Sequence, residues 1–127
     1  MSKLTSSFIL ALLWFIASVI LLTLPGSSLP KEKWFDKIWL DKWVHIFIFG
    51  MIVFLWCRVL LSKNFANEKL KRYFFLIALT AIAYGVGMEY IQLYFIPGRS
   101  FDLWDMAADA VGSLLGLIYC YKRLIKK

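Results

Sequence analysis

Apolar residues gather along the chain in four long runs, Phe8 to Leu24, Trp43 to Leu61, Tyr73 to Ile96 and Leu103 to Tyr121. Each is continuous enough to be a membrane-spanning helix rather than an amphipathic one packed in a soluble core. A helix rises about 1.5 Å per residue, so each run can cross a hydrocarbon layer of about 30 Å, the first by the narrowest margin. Pro25-Gly26 stops the first run and Pro97-Gly98 the third, as residues that break or end helices should. With Lys3 ahead of it, the first run imitates a signal peptide. It is longer than a usual apolar signal region and no A-x-A-like site follows, so it is expected to be retained.

Between the first two runs, over Pro30 to Leu40, Trp34, Phe35, Ile38 and Trp39 recur at helical spacing while Lys31, Lys33, Asp36 and Lys37 fill the other face. That pattern predicts a short interfacial helix on the membrane surface, with an irregular loop carrying anchoring tryptophans as the alternative. The expected fold is therefore all-α: a four-helix transmembrane bundle, one domain over residues 1–127, with a short interfacial helix between helices 1 and 2.

Composition sharpens this reading. Hydrophobic residues make up 61% of the chain, against about 45–50% in soluble domains. A net charge of +7 would point to nucleic acid in a soluble protein. Here the cations lie in the connections, and topology accounts for them without a nucleic-acid partner. Ten Lys and Arg (Lys3, Arg58, Lys63, Lys69, Lys71, Arg72, Lys122, Arg123, Lys126, Lys127) fall at the termini and second connection, and five (Lys31, Lys33, Lys37, Lys42, Arg99) in the first and third. The positive-inside rule then places both termini in the cytoplasm and the first and third connections outside. Cys57 and Cys120 form no C-x-x-C motif and read as packing residues.

Ionisable residues inside membrane segments are costly and point to function by default. Asp41 and His45 share a face at the outer start of helix 2, beside Lys42; Glu89 and Gln92 share one near the outer end of helix 3; Arg99 lies in the turn that follows. On helix 4, Asp102, Asp105, Asp109, Gly112 and Gly116 step by three, four, three and four, one stripe with an acidic outer half and a glycine inner half. Glycines there let a neighbouring helix approach closely, which would turn the same face, carboxylates included, into the bundle. Gly85, Glu89 and Gln92 make a similar stripe on helix 3. Arg99, His45 and Lys42 are the candidate partners of Glu89. An outward cavity lined by these groups suits a phosphate, a sugar head group or a hard cation. The same residues also suit a salt-bridge lock on the outer turn, with Asp102 and Asp105 gaining from the start of helix 4. Asp109 lies too far into that helix to be a cap.

The stretches Asp41-Lys42-x-x-His45, Glu89-x-x-Gln92 and Gly98-Arg99-Ser100-Phe101-Asp102-x-x-Asp105-x-x-x-Asp109-x-x-Gly112-x-x-x-Gly116 resemble the VanZ-like family over about residues 8 to 121. The resemblance implies a small polytopic membrane protein, often of four helices, in a family whose namesake is associated with resistance to the glycopeptide teicoplanin. The expected setting is then a bacterial inner (cytoplasmic) membrane. Where many relatives have Asn, this chain has Asp109.

Three functions compete. The first is a protein that binds an anionic cell-envelope lipid or lipid-linked cell-wall precursor at its outward polar pocket. Asp41, Lys42, His45, Glu89, Gln92, Arg99, Asp102, Asp105 and Asp109 would be the binding residues, with Arg99 and Lys42 on phosphate. The second is a membrane hydrolase or transferase acting on a lipid-linked phosphate or sugar, with His45, Glu89 and Asp105 as catalytic candidates. A single histidine excludes a zinc site of two or three histidines within one chain, and no cofactor is called for. A carboxylate site for Mg²⁺ or Ca²⁺ stays open. The third is a transporter or channel subunit, which would require a homo-oligomer and a polar path through the inner half that the sequence does not offer.

Overall fold

The computed structural model describes residues 2–24, 40–98 and 101–125. The expected interfacial helix and Arg99 lie outside these residues. Four helices form the described chain: α1 (Lys3–Leu22), α2 (Leu40–Leu61), α3 (Asn67–Phe95) and α4 (Leu103–Arg123). All four are long and apolar enough to cross a membrane.

The local signals explain the ends. Ser2 caps α1 by accepting the Thr5 N–H at 3.1 Å, and Asp102 caps α4 by accepting the Trp104 N–H at 2.9 Å. Asn64, at φ 58°, turns the chain between α2 and α3, a left-handed conformation that asparagine tolerates better than most residues. Gly98, at φ 74°, does the same after α3. α3 begins at Asn67, six residues before the apolar run at Tyr73. Asn67 to Arg72 are polar apart from Leu70 and compatible with a helix. Glu68 in the first turn complements the helix dipole, and Leu70 is buried.

The helices run up and down, so Lys3, Asn64 and Arg123 line one cavity at one end while Lys42 meets Asp102 at the other. The closest approach is between α2 and α4. A methyl group on Gly116 would sit 2.8 Å from the Gly50 carbonyl oxygen, and one on Gly112 would overlap the Ile46 backbone. The glycine half of the α4 stripe thus lets two backbones touch, as its spacing predicts. At that crossing Phe49 and Val53 are buried, and beyond it Phe74, Cys57 and Cys120, the two thiols free and facing each other across α2 and α4. The outer surfaces are apolar, with Leu13, Ile20, Phe47, Phe95 and Leu115 among the exposed residues, as a lipid environment requires. α1 packs chiefly on α2, through the Trp14 indole N–H to the Ile48 carbonyl at 3.1 Å.

Candidate functional site: a two-layer polar cluster

The first two turns of α2, the last turns of α3 and the first two turns of α4 meet at one end of the bundle. Their polar residues, far apart in sequence, form two layers. In the upper layer the Lys42 ammonium sits among three carboxylates: Nζ lies 2.6 Å from Asp41 Oδ2, 2.8 Å from Asp102 Oδ2 and 2.7 Å from Asp105 Oδ1. That Asp105 oxygen has no aligned hydrogen bond among the described residues, so its contact with Lys42 is an ion pair. The three carboxylates also lie within 4.8 Å of one another, a spacing that would suit a metal ion. The lysine supplies a positive charge at that point instead.

The lower layer is deeper. His45 Nδ1 lies 2.7 Å from Asp109 Oδ1, and Nε2 lies 3.8 Å from Asp105 Oδ2. Glu89 completes a buried group with His45 and Asp109, each offering one atom within 4.8 Å of the others. Glu89 and Asp109 are 1% and 2% exposed, and carboxylates that deep must find partners or protons. Glu89 accepts the Asp102 backbone N–H at 3.1 Å, which ties the two layers together. Room for Asp109 comes from Gly85, where a methyl group would lie 2.8 Å from Asp109 Oδ2. Ser113 donates its hydroxyl to the Asp109 carbonyl at 2.9 Å. Gly85 was visible as part of a stripe; the Ser113 contact carried no sequence signal.

Gln92 does different work. Its amide donates to the Leu22 carbonyl at 2.7 Å and so satisfies an acceptor at the open end of α1. Its Oε1 is buried without a hydrogen-bond partner among the described residues. Asp102, at the membrane edge of the cluster, is pushed up by partial burial. The hydrogen bonds from Lys42 and from the Trp104 N–H outweigh that and hold its carboxyl below the ordinary aspartate value.

Among the described residues the cluster contains five carboxylates, one lysine and one histidine. It is short of positive charge. A group reaching it gains by bringing hydrogen-bond donors or a cation. The donor set of His45, Glu89 and Asp109 fits a hard divalent cation better than a soft one.

A helical bundle of four spans, closed at one end by a buried ionisable cluster, defines a polytopic membrane protein built around a polar site. The VanZ/LLP1 family model matches residues 4–126, nearly the whole chain, and the chain belongs to that family. Neither a curated protein nor a solved structure gives a match.

Proposed function

We propose that this VanZ/LLP1 protein binds the polar head of a cell-envelope lipid or lipid-linked precursor at the two-layer cluster. The observation that carries the reading is the convergence of His45, Glu89 and Asp109 beneath Lys42 from three different helices. Ionisable groups gathered at such depth are retained at a cost to stability. Lys42 would contact the phosphate by giving up one of its three aspartate partners, with Arg99 three residues before Asp102 in sequence. The carboxylates take hydroxyl or amino groups. The charge balance refines the ligand: a head group bearing such donors beside its phosphate suits five carboxylates better than a bare anion. By the count of Lys and Arg the cluster faces outward, in a bacterial inner membrane, where envelope intermediates are displayed. A drug that targets those intermediates would be affected indirectly, which is the route by which a link to glycopeptide resistance would arise.

The test is native mass spectrometry in mild detergent with a polyprenyl phosphate, a lipid-linked peptidoglycan precursor and a zwitterionic lipid. Wild type is expected to retain the precursor selectively, and Lys42→Gln and Glu89→Gln to lose it. Thermal unfolding is recorded on the same samples. Lower melting temperatures with undiminished precursor binding would make the cluster a structural lock and end this reading.

One observation favours a second reading. With Nδ1 held by Asp109, His45 keeps Nε2 for proton transfer, the division of labour that a histidine–carboxylate pair uses in acid–base catalysis. A hydrolase or transferase acting on the same lipid would then release product with wild type and none with His45→Gln. Binding without turnover in both would leave the first reading alone.

A further inference from the structure

The opposite end of the bundle carries a second site. A cavity of about 830 Å³ opens there between the start of α1, the end of α2, the start of α3 and the end of α4. Lys3, Arg58 and Arg123 line it, together with the hydroxyls of Ser6, Ser7 and Ser62. None of its lining residues is a carboxylate, and none of the described ion pairs involves its three cations. The chain has eight carboxylate side chains, and seven lie in the first connection, at the cluster or beside it; of the eight, only Glu68 belongs to this end. The charge here is thus the reverse of the cluster's. The Ser6 and Ser7 hydroxyls add donors suited to phosphate oxygens, while Ser62 donates its own to the Arg58 carbonyl at 3.2 Å.

An apolar groove adjoins the cavity, and Phe65 lines both. It has a volume of about 730 Å³ and runs between α1 and α3 over the face of α2, lined by Leu12, Phe15, Ile52, Tyr73, Ile77 and Tyr84. Its shape follows from how α1 is attached. Near the cluster end Gln92 holds the Leu22 carbonyl. One step further along, the Ser18 and Tyr84 hydroxyls meet at 2.9 Å, with Phe15 and Tyr84 ring centroids 5.1 Å apart. Beyond that pair α1 and α3 are parted by the groove. From Tyr84 to Tyr73 it extends about 16 Å along α3, at about 1.5 Å per residue. Lys63 stands on its lining, and the Lys69 ammonium lies 5.3 Å from the Phe65 ring centroid.

We propose that this end binds one anionic phospholipid of its own leaflet, with the phosphate among Lys3, Arg58 and Arg123 and one acyl chain in the groove between α1 and α3. The basic cavity selects the head group; the groove wedged shut at Ser18 and Tyr84 takes the chain. This site is separate from the cluster and does not depend on the function proposed for it.

The test uses the full chain in mild detergent, with phosphatidylglycerol, phosphatidylcholine and glycerol 3-phosphate as probes and native mass spectrometry as readout. Wild type is expected to retain phosphatidylglycerol over phosphatidylcholine. Arg58→Gln with Arg123→Gln should lower that retention by at least about tenfold, since each basic residue near a lipid surface contributes substantially to anionic binding. Thr80→Trp, which fills the groove from an exposed position, should lower it with the cations intact. Lys3→Gln, at the exposed start of α1, gives the head-group test again if the double variant fails to fold. Equal retention of the two lipids, or full retention in the charge variants, would overturn the proposal. Displacement of phosphatidylglycerol by glycerol 3-phosphate would also overturn it, because the cavity would then take a free phosphate ester. Undiminished binding by Thr80→Trp would remove the acyl groove.

Discussion

Asp102 joins three tasks in one side chain: it caps α4, pairs with Lys42 and, through its backbone N–H, binds Glu89. Its folded pKa lies below that of an unfolded aspartate, about 3.9. The sign of the linkage follows. The carboxylate form is favoured by folding, so its contribution is complete above the unfolded value and is lost as the pH falls through the lower folded value. Asp102→Ala is expected to destabilise the protein by about 1 kcal/mol at neutral pH, the usual effect of losing a cap. The difference from wild type should shrink below about pH 3.9. Thermal unfolding in detergent from pH 6 to pH 3 checks this; a difference that stays constant with pH would mean the ionised form has no special role.

At the scale of elements, the α2–α4 pair does most to place the cluster. Lys42 and His45 come from α2, and Asp105 and Asp109, which they meet across the bundle, from α4, so the two helices must lie within a side chain's reach at that end. Gly112 and Gly116 provide this by letting the backbones meet at Ile46 and Gly50. Gly112→Leu is therefore expected to push the helices apart and to lower the melting temperature sharply, since the obstacle is backbone and cannot move aside. Gly87 is the control: a methyl group there meets nothing within 4 Å, and Gly87→Ala should be neutral or stabilising by up to about 1 kcal/mol from helix propensity. Comparable losses in both variants would mean that the crossing does not depend on close backbone contact.

At the scale of the whole molecule, the two ends have opposite character. One end gathers carboxylates around Lys42 and His45; the other presents Lys3, Arg58 and Arg123 around a cavity. The charge count predicts that the basic end lies in the cytoplasm. A reporter active only in the cytoplasm, fused to the C-terminus, should give signal, and one active only outside the cytoplasm should be silent there. The reverse pair of results would invert the topology and place the cluster inside.

The sequence by itself determined the number and approximate limits of the spans. Burial of backbone polar groups in lipid demands long unbroken apolar helices, and such runs stand out along a chain. It also showed that Asp102, Asp105 and Asp109 share a face with Gly112 and Gly116, because helical periodicity is a local property. The early start of α3 was hidden, since Asn67 to Arg72 carry one apolar residue, Leu70, too little for a run to register. Pairing was hidden too. That Lys42 takes three aspartates, that His45 takes Asp109, and that Gln92 serves the end of α1 depend on which helices touch and at what height. Apart from Lys42 with its neighbour Asp41, those are contacts across 60 or more residues of chain, as between Lys42 and Asp102, and tertiary packing alone sets them. The cavity at the basic end escaped the sequence for the same reason: its cations sit on three helices, and only their assembly turns scattered topological charges into one site.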